Sequence, residues 1–203
     1  MTSVLVFGGS FDPVHNGHLS IARQARELTG AAEVWFVPSA IAPLRDHLAA
    51  PPEDRLALVQ VAVGETPHTR VLDVAIRMGG VSYTAETMDV LRRAYPGDDL
   101  AVLVGADAAR TLPSWHRATE LLARERFVVV NRTGPPALDM DELSNLGFAA
   151  ESTTLLSVDS PNISASEVRE RCAAGQSLAG LVPDAVGALI AASGMYRSNP
   201  DDA

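Results

Sequence analysis

The feature that most constrains this chain is a series of short apolar runs separated by segments of helical period. Val4–Phe7, Glu33–Val37, Leu100–Val104 and Phe127–Val130 read as strands, and Leu100–Val104 is unbroken enough to be buried on both faces. Arg70–Val74 and Leu155–Val158 are weaker strand candidates. Helical patterns fall at Gly17–Leu28, from Glu53 onward, and at Thr84–Arg93, Arg117–Ala123, Ala165–Ala174 and Asp184–Ala192. Gly134–Ser152 has little periodicity and receives no element. Strands alternating with helices predict an α/β fold, a doubly wound parallel sheet with helices on both faces and ligands at the carboxyl ends of the strands. At 203 residues, with no repeat or linker, the expectation is a single domain over 1–203 with a small helical part at about 163–196.

Composition then removes whole classes of function. No apolar stretch is long enough to span a membrane, and the start, MTSVLVFGG, has no basic residue ahead of its apolar run. One cysteine, Cys172, excludes an internal disulfide and a cysteine-rich zinc site. The expectation is a soluble cytoplasmic protein without a membrane partner. All 16 basic residues are arginine against 25 acids, a net charge of −9. Without lysine there is no Schiff-base chemistry and no P-loop lysine. An acidic chain without a basic run is a poor nucleic-acid binder. Any anion must therefore be held by local arginines, histidines and helix N-termini.

The first strand supplies such a place. It runs into Gly8-Gly9-Ser10-Phe11-Asp12-Pro13-Val14-His15-Asn16-Gly17-His18. Adjacent glycines and an intervening proline distinguish this from the dinucleotide fingerprint G-x-G-x-x-G. Small residues let a phosphate approach the backbone, and the helix that follows aims its free N–H groups at it. His15 and His18, three apart at a helix start, share one face and can donate to phosphoryl oxygens. As a sequence pattern alone they could also be a metal pair or two surface histidines. Near the other end, Ile163-Ser164-Ala165-Ser166-Glu167-Val168-Arg169 fits a helix opened by a capping box from Ser164 to Glu167, with Arg169 one turn in. Ser164 could equally be a plain N-cap and Arg169 a solvated arginine.

Together these segments resemble the two signatures of the nucleotidylyltransferase superfamily. The first is Gly9-x-Phe11-Asp12-Pro13-x-His15-x-Gly17-His18, and the second usually reads I-S-S-T-x-I-R. Between them, Ser82-Tyr83-Thr84-Ala85, Gly105-Ala106-Asp107, Pro113-x-Trp115 and the strand ending at Arg132 are similar to elements of bacterial nicotinate-nucleotide adenylyltransferases. So is the close, Leu181-Val-Pro183 through Gly194-Met-Tyr196. The resemblance implies a Rossmann-like sheet and adenylyl transfer from ATP to nicotinate mononucleotide, with magnesium carried on the ATP and no protein metal site.

It also implies residue roles. His15, His18, Arg169 and Ser164 would serve catalysis. Gly8, Gly9, Ser10, Phe11, Gly105, Asp107 and Ile163 would join them around ATP, and Ser10, Arg45, Tyr83, Thr84, Ala85, Trp115 and Arg132 would hold the acceptor nucleotide. Trp115 would stack on its pyridine ring. The chain departs from the pattern at Leu44-Arg45, where the family has histidine and lysine, at Ala165-Ser166, and at Asn131 and Thr133 beside Arg132. His47 is near enough in sequence to replace the missing histidine. Another small nucleotidylyltransferase (for phosphopantetheine or nicotinamide mononucleotide) and a silent nucleotide-binding protein remain as alternatives. Whether the chain forms a homo-oligomer is left open.

Overall fold

A computed structural model describes residues 2–43, 48–64, 66–132 and 137–197. Six strands form one sheet: β1 (Ser3–Gly9), β2 (Glu33–Pro38), β3 (Thr69–Val71), β4 (Asp99–Gly105), β5 (Arg126–Arg132) and β6 (Thr153–Val158). Their order is β3-β2-β1-β4-β5-β6 and every pairing is parallel, with Val4 beside both Glu33 and Leu100. The order reverses between β1 and β4, so the carboxyl ends of those strands open the crevice in which such sheets bind ligands.

The apolar runs are continuous because the strands are covered on both sides. Leu5, Phe7, Val128 and Val130 face a core closed by α1 (Asn16–Thr29), α2 (Pro52–Val63), α8 (Ala165–Ala173) and α9 (Asp184–Ser193). Val4, Val6, Phe127 and Val129 face a second core, closed by α3 (Val74–Met78), α4 (Thr84–Ala94), α5 (Ala106–Thr111), α6 (Ala118–Arg124) and α7 (Met140–Asn145). In α1 the buried residues Ile21, Ala22 and Ala25 make the inward stripe, and Gly30, at φ 70°, ends the helix in the left-handed region.

Three expectations change. The strand read over Arg70–Val74 is Thr69–Val71, and Val74 instead opens α3. The aperiodic segment Gly134–Ser152 contains α7, capped by Asp139, whose carboxylate accepts from the Glu142 N–H at 2.8 Å. A further short helix, α5, follows β4 directly at Gly105. These helices have five or six residues, too few to display a 3.6-residue period. Among the described residues no helix is long and apolar enough to cross a membrane.

Candidate active site

The loop after β1 is shaped by what lies beneath it. Phe11, at φ 47°, turns its ring inward; it is 1% exposed and packs edge-on against Phe7 at 5.6 Å and His18 at 5.1 Å. A Cβ on Gly9 would come within 2.9 Å of that ring, so only glycine lets the loop close over it. Phe11 was expected at the ATP, but its side chain belongs to the core and leaves only its backbone for a nucleotide. Gly8 and Gly105, at the ends of the two strands that flank the crevice, have open space where a side chain would stand.

His15 caps α1, and its ring stacks on His18 with centroids 3.7 Å apart and planes at 26°. The His15 backbone N–H donates to His18 Nδ1 at 3.3 Å. When neutral, His18 therefore carries its proton on Nε2. His15 is buried, and among the described residues its Nδ1 has no hydrogen-bond partner. Burial, with a smaller contribution from the positive charge of Arg132, pulls its pKa from 6.5 down to about 4. At neutral pH His15 is thus an uncharged hydrogen-bonding group. Gly17 makes room for it, since a Cβ there would sit 3.0 Å from the His15 ring and 3.3 Å from the Pro161 carbonyl oxygen.

The second signature meets the first here. Arg169, one turn into α8, donates from Nη1 to the Asp12 carbonyl at 2.7 Å and from Nη2 to Ser166 Oγ at 3.1 Å. Ser164 caps α8, accepting from the Glu167 N–H at 3.1 Å. The expected capping box is only half formed, because the Glu167 carboxylate pairs with Arg171 at 3.2 Å instead. Ile163 is 6% exposed and its side chain packs in the first core. Asn16 ties the C-terminal part to the start of α1 through Leu181 and Gly180, both at 2.8 Å.

The residues expected at the acceptor come from surface elements. Ser82 Oγ accepts from the Ala40 N–H at 2.8 Å, which joins the exit of β2 to the approach to α4. Tyr83 precedes α4 without a side-chain cap, and its ring lies 4.3 Å from that of His116. Glu86 turns toward His116 at 3.6 Å. Thr84 and Ala85 form the first turn, with the Ala85 side chain buried, so that residue offers its backbone alone. Trp115 follows the Leu112–Ser114 turn and donates from Nε1 to Thr111 Oγ1 at 3.1 Å. Arg132 ends β5 and pairs with Asp107 at 3.3 Å. Asp107 was expected beside ATP and Arg132 beside the acceptor; the contact makes them neighbours. Arg45, with Leu44 and His47, lies outside the described residues.

Three residues given no role from the sequence support this arrangement. Ser10, expected at both substrates, has its carbonyl held by Arg55, which is fully buried and also donates to Ser39, Ala40 and Ala50. Asp12 is buried and accepts from Tyr196. Arg55 had a legible signal: with Leu58, Val59 and Ala62 it occupies the i, i+3, i+4, i+7 stripe of α2. No group of three or more His, Cys, Asp or Glu among the described residues could hold a metal ion.

Comparison with known proteins agrees with the geometry. Residues 6–171 match the cytidylyltransferase-like family model. A Dehalococcoides mccartyi protein named "Probable nicotinate-nucleotide adenylyltransferase" is 37% identical over 195 residues, covering 95% of this chain and 96% of its own. A Gemmatimonas aurantiaca protein of the same name is 38% identical, covering 96% and 92%. Among solved structures, the Plasmodium falciparum nicotinic acid mononucleotide adenylyltransferase complexed with NaAD superposes with a TM-score of 0.80 at 16% identity, over 97% of this chain and 98% of that one. That last likeness speaks for the fold, and the curated relatives speak for the family. The chain belongs to the cytidylyltransferase-like nucleotidyltransferases and, within them, to the nicotinate-nucleotide adenylyltransferases.

Proposed function

We infer that this chain, acting as one catalytic unit, transfers the adenylyl group of ATP to nicotinate mononucleotide and releases pyrophosphate, a step of NAD synthesis. The observation that carries the reading is the meeting of the two signatures: Arg169 bonded to the Asp12 carbonyl beside the stacked His15 and His18. A phosphate oxygen of the acceptor attacks the α-phosphorus of ATP, and the bond from that phosphorus to the pyrophosphate oxygen breaks. The nucleophile is already ionised at neutral pH, so no general base is required. Catalysis then rests on alignment and on stabilising charge as it develops.

In this reading His18 donates from Nε2 to phosphoryl oxygens, neutral His15 lies beside it, and Arg169 and Ser164 contact the departing phosphates. Gly8, Gly9 and the backbone of Ser10 and Phe11 admit the triphosphate, with Gly105, Asp107 and Ile163 bounding the nucleoside. Tyr83, Thr84, Ala85, Trp115, Arg132 and Arg45 serve the acceptor. Magnesium enters with ATP and offsets phosphate charge. A cytoplasmic location is part of this reading.

Pyrophosphate release measured with nicotinate mononucleotide, nicotinamide mononucleotide and phosphopantetheine tests the assignment. The expected result is fastest release with the nicotinate acceptor. Release from none of them would overturn it in favour of a nucleotide-binding protein without catalysis.

A further inference from the structure

Beneath the phosphate loop lies a buried polar knot whose parts come from four regions of the chain. The Asp12 carboxylate, in a residue 2% exposed, accepts from the Ala49 N–H at 2.7 Å, the Ala50 N–H at 3.1 Å and the Tyr196 hydroxyl at 2.9 Å. Arg55 stands beside it, donating to the carbonyls of Ser39 at 2.6 Å, Ala40 at 2.8 Å and Ala50 at 3.1 Å, as well as to Ser10. All these bonds of Arg55 go to neutral carbonyls, so Asp12 supplies the opposing charge. A buried network of this kind holds its geometry only while its donors and acceptors are matched.

Residue 12 is also where the two signatures touch, through its own carbonyl and Arg169. Its side chain and its backbone thus serve different parts of the site. The carboxylate fixes the end of the acceptor-side loop at Ala49–Ala50, and the carbonyl fixes the arginine expected at the triphosphate. Tyr196 lies beyond residues 6–171, and its φ of 62° turns the chain after α9 in the left-handed region.

We propose that Tyr196 is a positioning residue for adenylyl transfer, acting through Asp12 to hold the phosphate loop, Arg169 and the Ala49–Ala50 segment in one register. This rests on the reaction assigned above. Tyr196 does not touch the reacting atoms. Its hydroxyl supplies one of three hydrogen bonds to a carboxylate that water scarcely reaches, and without it Asp12 and the backbone attached to it gain freedom. Misplacement of a catalytic group by a fraction of an ångström to an ångström is costly in rate.

The test is Tyr196→Phe, which keeps the ring and deletes the hydroxyl. Wild-type and variant pyrophosphate release are compared at a temperature where circular dichroism shows both fully folded. The expected result is a fall in kcat/KM for nicotinate mononucleotide of about tenfold, the size that loss of one hydrogen bond to a charged group produces, with the KM for ATP within about twofold. A kcat/KM within about twofold of wild type would overturn the proposal and leave Tyr196 a structural contact, whatever the change in melting temperature. Introducing Tyr196→Phe into Asp12→Asn separates the route: the effect should shrink to less than about threefold if the hydroxyl acts through the carboxylate. A full additional tenfold loss there would show that it acts elsewhere. Absence of pyrophosphate release from the wild type would instead defeat the assigned reaction, so the two failures are distinguishable.

Discussion

On the side proposed to hold the phosphates, Asp12 and His15 are 2% and 6% exposed and rest on Phe11, Phe7 and the first core; on the side proposed for the acceptor, the side chains of His116, Glu86 and Arg132 are 43%, 41% and 42% exposed. The phosphate side is set by packing and by close approaches that a Cβ would crowd, at Gly9 and Gly17. The acceptor side is set by exposed partnerships, Tyr83 with His116, His116 with Glu86, and Arg132 with Asp107. Charge stabilisation depends on donors already in place when the reaction begins, which a packed core provides. Recognition of a flat ring tolerates a surface that adjusts as the ring arrives, and exposed ion pairs contribute little to hold that surface rigid.

The largest expected effect falls on the packed side. His18→Ala should lower kcat by roughly 10²–10³-fold, the usual cost of one transition-state donor. Steady-state rates and a melting curve check it together. Retention of more than about a tenth of wild-type kcat at unchanged stability would mean that packing here serves the fold rather than the reaction.

Next comes stability against pH. Because burial depresses the His15 pKa from 6.5 to about 4, the unfolded chain takes up a proton there before the folded one does. The stabilisation is complete above about pH 6.5, is lost as the pH falls toward 4, and changes no further below that. A displacement of this size corresponds to roughly 2–4 kcal/mol. Urea unfolding at pH 7 and pH 4.5 should show a larger loss for the wild type than for His15→Gln. Equal losses would place His15 in a wetter environment and weaken the contrast between the two sides.

The acceptor side should produce smaller, selective effects. The first turn of α4 has no side-chain cap, and Glu86 faces His116, so the free N–H groups can receive the nicotinate carboxylate. A helix N-terminus and charge-assisted hydrogen bonds together favour acid over amide by about 2–4 kcal/mol. With Glu86 close by, the expectation is the lower half of that range, a kcat/KM ratio of about 30- to 160-fold for nicotinate over nicotinamide mononucleotide. Equal rates would show that Thr84 and Ala85 do not present their amides to the substituent.

Smallest is Trp115→Ala, expected to raise the KM for nicotinate mononucleotide about fivefold to tenfold, as loss of one stacking face does, with the ATP KM little changed. A rise in the ATP KM instead would assign Trp115 to the nucleotide side or to the second core, against which it partly packs.

The same contrast explains what could be read from the sequence. β1, β2, β4 and β5 are legible because apolar runs covered on both faces leave a continuous signal, and α1 because its inward stripe is regular. The signatures at His15–His18 and Ser164–Arg169 are legible because paired histidines after adjacent glycines, and a serine-capped helix start with an arginine one turn in, are local patterns. α3, α5 and α7 are too short to show a period. Asp12 and Tyr196 were in view, but a hydrogen bond spanning 184 positions leaves no local pattern. Phe11 was expected at ATP because it sits inside a binding motif, and what turns its ring inward is packing on Phe7 and His18, which no local sequence pattern displays. Arg55 left a signal in its place on the apolar stripe of α2, but its charge gave no hint that four loop carbonyls are its partners.

The strand order also governs when this protein can first bind anything. β1 is made first, yet it lies in the middle of the sheet, and the neighbour that completes its second edge, β4, begins at Asp99. Until that segment has been synthesised, the glycine loop hangs at the rim of a half-sheet with one hydrogen-bonding edge unpaired. The crevice between β1 and β4 has only one wall over that interval. Pairings this distant close slowly, because the intervening chain gives up its freedom before contacts are gained. A nascent chain halted before β4 should therefore leave ATP untouched, and binding competence should arise late and abruptly during translation.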